Sequence, residues 1–296
     1  MQGSTPVPGT VSYSGVTAIF NPLSGLAPNL LYTATITTGV TDLAGNALIS
    51  NYVWSFTTGS TLPGIDLLGT VNAASYVAPV APGSIAAAFG TNLAIGQASS
   101  TASEPLPTTL AQSSFAIGGQ AAPLFFATAF QVNMQIPWEL AGQIQTSLVE
   151  TVNGVVSNTQ IVAIAAFAPG IFSVDASGAG QGAILIAPTA QLAAPGSAAP
   201  TGATVSIFCT GLGPVTNQPA TGIAGPSGPL SMTLTTPVVT IGGVGAVVAY
   251  SGLAPTLVGV YQVNAVVPSG VSPGGAVPVV INIGNVASNT VTIAVQ

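Results

Sequence analysis

Short runs rich in Val, Ile, Thr and aromatic residues alternate with Gly, Pro, Asn and Ser along the whole chain, at intervals of roughly eight to twelve residues. Leu31 to Thr37, Tyr52 to Thr58, Ser84 to Phe89, Gln131 to Ile136, Gln160 to Ala165, Thr204 to Cys209 and Val277 to Ile283 are examples. Each run is strand-length and closed by residues that turn the backbone, and no segment carries a capped apolar repeat of 3.6 residues. The rhythm therefore predicts an all-β protein of sandwiches or barrels. Pro137-Trp138-Glu139-Leu140 is expected to add a single helical turn after a strand.

The sequence also repeats itself. Phe130-Gln131-Val132-Asn133 followed by Pro137 recurs as Tyr261-Gln262-Val263-Asn264 followed by Pro268, and Ser157-Asn158-Thr159 recurs as Ser288-Asn289-Thr290. Upstream, Ile117-Gly118-Gly119 pairs with Ile241-Gly242-Gly243, and Phe89 to Leu93 pairs with Phe208 to Leu212. The offset grows in steps from 119 through 124 to 131 residues, as insertions in loops of a duplicated domain would produce. The loops at 97–109, 187–202 and 213–231 absorb them, being rich in Ser, Pro, Ala or Gly without strand alternation. The expected organisation is a partial unit at 1–58, a linker at 59–65, and two Ig-like sandwich repeats at 66–174 and 175–296. Residues 1–58 offer about four strands, Thr10 to Tyr13, Val16 to Phe20, Leu31 to Thr37 and Tyr52 to Thr58. An immunoglobulin-like sandwich needs about seven, so this unit is expected to leave an open edge and an uncovered apolar face.

Composition narrows function sharply. The 296 residues include six acidic side chains and no Lys, Arg or His, against roughly a quarter charged in ordinary domains. Nucleic-acid binding needs cations to displace phosphate counterions. A P-loop needs its lysine and a Ser-His-Asp triad its imidazole. One cysteine without histidine builds no tetrahedral zinc shell and no intrachain disulfide. The chain is nonetheless apolar, at 48% hydrophobic residues and a mean hydropathy of +0.70. Disorder is disfavoured by that apolarity. No stretch approaches the ~18 apolar residues of a spanning helix, and a strand-built pore lacks the Lys and Arg of membrane interfaces. Met1 to Thr5 lacks a basic and an apolar region, so no signal peptide is expected to open the chain, which reads as processed, truncated or starting at a non-native residue.

Tyr32 to Ile36, Thr41-Asp42-Leu43-Ala44-Gly45-Asn46 and Trp54-Ser55-Phe56-Thr57-Thr58 resemble the second half of an SbsA-type bacterial Ig-like domain. Residues 66–296 resemble the uncharacterised Solibacter-type (acidobacterial) C-terminal domain family. That likeness runs through Val71-Asn72-Ala73-Ala74-Ser75-Tyr76, Val132-Asn133-Met134-Gln135-Ile136-Pro137-Trp138-Glu139-Leu140, Ala168-Pro169-Gly170-Ile171-Phe172 and Ser288 to Ile293. The resemblance implies a secreted bacterial protein, commonly the C-terminal part of a larger extracellular chain, and implies no catalytic residues. The absence of every basic residue departs from what relatives would carry.

Candidate chemistry is sparse. The carboxylates Asp42, Asp66, Glu104, Glu139, Glu150 and Asp175 are scattered, no two closer than eleven residues. A glycosidase needs two facing each other across a cleft; the expectation here is solvated turn residues. Asp42 in Asp-Leu-Ala-Gly-Asn reads as a turn cap, and calcium there would need oxygen ligands that no Asp/Asn cluster supplies. Cys209, without a basic neighbour, is expected to be a buried small hydrophobe. Trp54 and Trp138 could stack on sugars but are expected to be core. Phe125-Phe126 breaks alternation, so one ring is expected to face outward or into an interface. Gln131 with Asn133, and Gln262 with Asn264, share strand faces and are expected to fix register through the backbone.

The sequence thus predicts a protein that is not an enzyme, with no catalytic, cofactor-binding or metal residues and no cofactor. The leading expectation is a structural subunit of an extracellular or cell-surface bacterial filament, tube or sheath. Copies of itself would be its partners, joined head to tail and donating β-strands to the incomplete N-terminal unit. The alternative is an adhesin or carbohydrate-binding module meeting cell-surface components or glycans. With no salt bridges and few, dispersed carboxylates, stability is expected to change little between mildly acidic and neutral pH.

Overall fold

The computed structural model describes every residue except 15, 16, 43, 60, 61, 101–103 and 188. The expected strand residue Val16, Leu43 of the Asp42 turn, Ser60 and Thr61 of the linker, and parts of the 97–109 and 187–202 loops lie outside the described residues. The chain is all-β, with no α-helix among them; Trp138–Leu140 makes one 3-10 turn, as the Pro-Trp-Glu-Leu sequence suggested. It divides into two compact units, Met1–Leu62 and Pro63–Gln296.

The first unit holds four strands, close to those read from the sequence: β1 (Gly9–Ser14), β2 (Thr17–Pro22), β3 (Leu31–Ile36) and β4 (Tyr52–Thr57). They form two two-stranded antiparallel sheets, β1 with β2 and β3 with β4. The first residues lie along β3: the Thr33 amide donates to the Met1 carbonyl at 2.8 Å.

The second unit begins with β5 (Gly64–Asn72), β6 (Ile85–Thr91), β7 (Ala98–Ser99), β8 (Ser113–Ile117) and β9 (Gln120–Ala121). It continues with β10 (Leu124–Ala127), β11 (Gln131–Gln135), β12 (Gln145–Val152), β13 (Val155–Val156) and β14 (Gln160–Ala163). One sheet runs in the order β5-β6-β11-β10-β7; the other runs β13-β12-β8-β9, with β14 also on β12. Leu93, Phe115, Ile117, Leu124, Met134, Ile136 and Leu148 are buried between them. The later strands are β15 (Gly170–Ile171), β16 (Ile184–Ile186), β17 (Gln191–Leu192), β18 (Thr204–Thr210), β19 (Val238–Ile241) and β20 (Val244–Leu253). The last are β21 (Tyr261–Val266), β22 (Gly274–Ile283), β23 (Val286–Ala287) and β24 (Val291–Val295). They make one ten-stranded sheet ordered β17-β16-β18-β21-β20-β19-β22-β23, with β15 on β18 and β24 on β22. The long β20 shifts register between Val248 and Tyr250 and pairs with β21 on one stretch and β19 on the other, so it carries the chain from one layer to the next.

Strand boundaries depart from the expected divisions in two places. The strand β5 starts inside the expected linker, because the Ile65 backbone is held on both sides by Asn158: its N–H donates to Oδ1 at 2.9 Å and its carbonyl accepts from Nδ2 at 3.1 Å. The strand β15, before the expected boundary at 174, pairs with β18 of the later half.

The repeated sequences occupy equivalent places. The Gly118-Gly119 and Gly242-Gly243 pairs both have positive φ, near 60° and 79° in each turn, the conformation of a tight two-residue hairpin. Asn92 and Gly211, both left-handed, follow the equivalent strands β6 and β18. Asn289 holds Ile171 as Asn158 holds Ile65, accepting its N–H at 2.7 Å and donating to its carbonyl at 2.9 Å.

The two halves share backbone bonding. The Thr210 hydroxyl accepts from the Ile85 amide at 2.9 Å and donates to the Gly259 carbonyl at 2.7 Å, while Gln135 Oε1 accepts from the Gly222 amide at 2.6 Å. Phe125 packs with Leu106, Ala224 and Val258, so the interface expected for one of the paired rings is the one between the halves. Trp138 follows β11 of the earlier half yet packs in the core of the later one. Gly83 makes room for its ring: φ is +78° and an added Cβ would lie 2.1 Å from Trp138 Cη2. Gly83→Ala is expected to lower the unfolding midpoint by several degrees and to red-shift the Trp138 emission, measured by fluorescence during thermal unfolding.

Candidate functional site

The strands β3 and β4 are paired so that Tyr32 faces Phe56, Ala34 faces Trp54 and Ile36 faces Tyr52. Alternation puts all six side chains on one face. Tyr32 is buried, its hydroxyl accepting from the Ala27 amide at 3.0 Å and its ring stacked on Phe56 at 5.9 Å. The rest of the face is open: Tyr52 is 63% exposed, Trp54 43% and Phe56 43%, with the Tyr52 and Trp54 rings 5.6 Å apart. Trp54 is therefore not core, contrary to the expectation for it. The reason is that among the described residues β4 pairs with β3 alone and no second sheet covers its aromatic side. In the other hairpin Val11, Tyr13 and Phe20 are likewise exposed. The open edge and uncovered apolar face expected of residues 1–58 are both present.

Asp42 closes the β3–β4 connection as a turn cap. Its Oδ1 accepts from the Ala44 and Asn46 amides, and its Oδ2 accepts from Asn46 Nδ2, each at 2.9 Å. Those bonds, the Asn46 side chain first, hold its carboxyl below the usual range. Asp175 is similar, lowered chiefly by the Ser177 hydroxyl at 2.7 Å. Among the described residues no three of His, Cys, Asp and Glu gather as a metal site would require.

Glu150 departs from the expectation of a solvated turn residue. It sits in the middle of β12 between Leu148 and Val152 on the inward face, fully buried. Its Oε1 accepts from the Ser113 hydroxyl at 2.9 Å, and its Oε2 has no hydrogen-bond partner. Burial pushes its pKa from 4.5 to about 8, against a smaller lowering from Ser113. The carboxyl thus keeps its proton at pH 7, and stability is expected to depend on pH, against the expectation of little change across mildly acidic and neutral pH. Repeat spacing could have found it: at the offset of 131 residues Glu150 corresponds to Ile281, an inward position.

Cys209 is fully buried, and burial pushes its thiol well above the ordinary range. Trp138 is 5% exposed, as expected of a core residue, and its indole N–H is without a partner. The paired amides bond each other rather than the backbone: Gln131 Nε2 donates to Asn133 Oδ1, and Gln262 Nε2 to Asn264 Oδ1, each at 2.8 Å. Two residues apart on one strand face, the side chains reach each other more readily than a backbone already paired in the ladder.

Two exposed hairpins and an Asp-capped turn between β3 and β4 mark the first unit. Residues 1–58 match the family of bacterial Ig-like domains. No curated protein matches the chain. Among solved structures it is similar to SGBP-B of the mixed-linkage glucan utilization locus of Bacteroides ovatus, in complex with a mixed-linkage heptasaccharide, at 12% identity and a TM-score of 0.34. That alignment covers 94% of this chain and 55% of SGBP-B, so the chain spans about half of that protein's length. Domains 5–6 of the S-layer protein SbsC align at 11% identity over 79% of this chain and 98% of theirs, with a TM-score of 0.23. The I9–I11 tandem of titin aligns at 10% identity over 83% of this chain and 69% of its own length, with a TM-score of 0.19. No helix among the described residues is long and apolar enough to cross a membrane.

Proposed function

We propose that this chain is a non-enzymatic structural subunit of an extracellular bacterial filament, tube or sheath, in which strands of a neighbouring copy complete the bacterial Ig-like unit. The observation that carries the reading is the exposed row Tyr52, Trp54 and Phe56 beside the edge of β4 that no strand among the described residues pairs. An added strand satisfies the edge, and a second layer removes the aromatic face from water, at roughly 25 cal/mol per Å² of apolar surface. With six acidic side chains and no basic ones, little charge keeps copies apart. The resemblance of residues 66–296 to a secreted acidobacterial family supports the location. Scattered carboxylates and a buried, neutral Glu150 support the absence of catalysis.

Electron microscopy of undenatured protein is expected to show regular filaments or tubes, and Trp54→Asp is expected to disperse them. Single particles with the native sequence at all concentrations would overturn the proposal, and would leave the aromatic face to a segment of a longer chain. The exposure of Trp54 next to Tyr52 also favours a second reading, an adhesin or carbohydrate-binding module, since exposed aromatic rings stack on sugars. Loss of glycan binding in Trp54→Ser, without assembly by the native chain, would select it.

A further inference from the structure

The ladder between β5 and β6 is interrupted between Ile65 and Thr70. Asp66 to Gly69 bulge away from the sheet there, with Leu68 held at a φ of 58°, a strained conformation for a branched side chain. The bulge overhangs an open cleft of about 330 Å³ against β14, lined by Asp66, Thr70, Gln145, Thr159 and Gln160 among others. Gln160 Nε2 donates to the Ile65 carbonyl at 3.2 Å. The Thr70 hydroxyl, buried in the wall, has no hydrogen-bond partner. Beside these polar groups stand exposed apolar ones: Leu67 is 81% exposed and Ile161 58%.

The duplicated half shows that the fold does not require this polarity. At the offset of 131 residues Gln145 corresponds to Ala276 and Gln160 to Val291, while Thr159 keeps its match in Thr290. Around Gln160 the strands pair in the same register, Leu148 with Gln160 in one half and Val279 with Val291 in the other, whereas the later ladder shifts register between Gly274 and Val277, so Ala276 is not paired as Gln145 is with Ala163. The amide of Gln160 stands at a paired position where the second copy uses the aliphatic Val291.

We propose that the cleft beneath the Asp66–Gly69 bulge binds a neutral saccharide of one or two rings. Amides and hydroxyls both donate and accept, and the Asp66 carboxylate accepts from ligand hydroxyls. Leu67 and Ile161 offer apolar surface to the C–H faces of a sugar ring. The chain has no Lys, Arg or His side chain to hold an anionic ligand. The volume lies at the small end of ligand sites. The proposal rests on the carbohydrate-binding reading and gives that reading a place outside the Ig-like unit.

The test is titration calorimetry of the full chain with neutral disaccharides and tetrasaccharides of glucose, xylose and mannose in α and β linkage. At least one probe is expected to bind, with affinity falling tenfold or more in Gln145→Ala and in Gln160→Val, and unchanged in Trp54→Ser. Gln145 is exposed, so its replacement is expected to leave the unfolding midpoint in place even if Gln160→Val loosens β5. Binding lost in Trp54→Ser but kept in Gln145→Ala would overturn this site while leaving the carbohydrate reading intact. No binding by any probe at millimolar concentration would overturn both.

Discussion

Glu150→Gln is expected to raise the unfolding midpoint at neutral and alkaline pH and to flatten its dependence on pH. In the folded chain the Glu150 carboxyl keeps its proton up to about pH 8, while in the unfolded chain it loses it near 4.5. Between those values the unfolded state binds fewer protons, so stability falls as pH rises, by about 1.4 kcal/mol per pH unit. The loss is complete above about pH 8 and amounts to at most about 5 kcal/mol. Asp42 and Asp175 act in the opposite sense, since their lowered pKa values add stability that disappears as pH falls through them. Both are exposed, and their effect lies at the acid end. The native chain is therefore expected to be most stable in mildly acidic solution. The amide of Glu150→Gln has no charge to form and can still accept from Ser113. Thermal unfolding followed by circular dichroism from pH 4 to 9 checks this; parallel curves for native and variant chains would refute it. Ile281 and Pro237 stand at the equivalent positions of Glu150 and Ser113 in the later half, so the fold itself does not need the pair.

Asn289→Ala is expected to cost about 3–5 kcal/mol, more than Asn158→Ala at about 1–3 kcal/mol, because unmade bonds to buried backbone are expensive. Asn289 serves the amide and carbonyl of fully buried Ile171 and also donates to the Gly178 carbonyl at 2.7 Å and, at 3.5 Å, to the Ala74 carbonyl. Removing it strands the amide and carbonyl of Ile171 and takes a donor from the other two carbonyls. Asn158 serves Ile65 alone, and the Ile65 carbonyl keeps a second donor in Gln160. Denaturant unfolding of the two variants measures the difference, and equal midpoints would show that the two anchors are not doing what their bond counts imply. Asn158 and Asn289 were visible in the sequence as a repeated Ser-Asn-Thr; that they hold the first strand of each half was not, because the bonded residues lie 93 and 118 positions away.

Much of the rest was legible for local reasons. Strand positions followed from alternation and from turn residues, so the four strands of residues 1–58 and the hairpins at Gly118-Gly119 and Gly242-Gly243 fall close to where the residues alone put them. The turn role of Asp42 needed only neighbours within four residues. Cys209 could be read as core because it alternates onto the same strand face as the apolar Val205 and Ile207. Trp54 and Trp138 had similar local signals and opposite fates, one exposed on an uncovered sheet and the other buried in the core of the later half. Acidic residues seldom enter cores, which favours a solvated Glu150, while the neighbouring Leu148 and Val152 on the same strand face point the other way.

By itself, then, the sequence determined the secondary structure, the duplication and the exclusion of every chemistry that needs a cation, since those depend on residue type, short-range backbone preference and spacing. Only the tertiary structure decided which faces are covered. Alternation states that side chains share a side of a strand; whether another layer lies against that side depends on strands far along the chain. That difference buries Glu150 as a neutral acid, opens the cleft under the bulge at Leu68, and leaves Tyr52, Trp54 and Phe56 facing solvent.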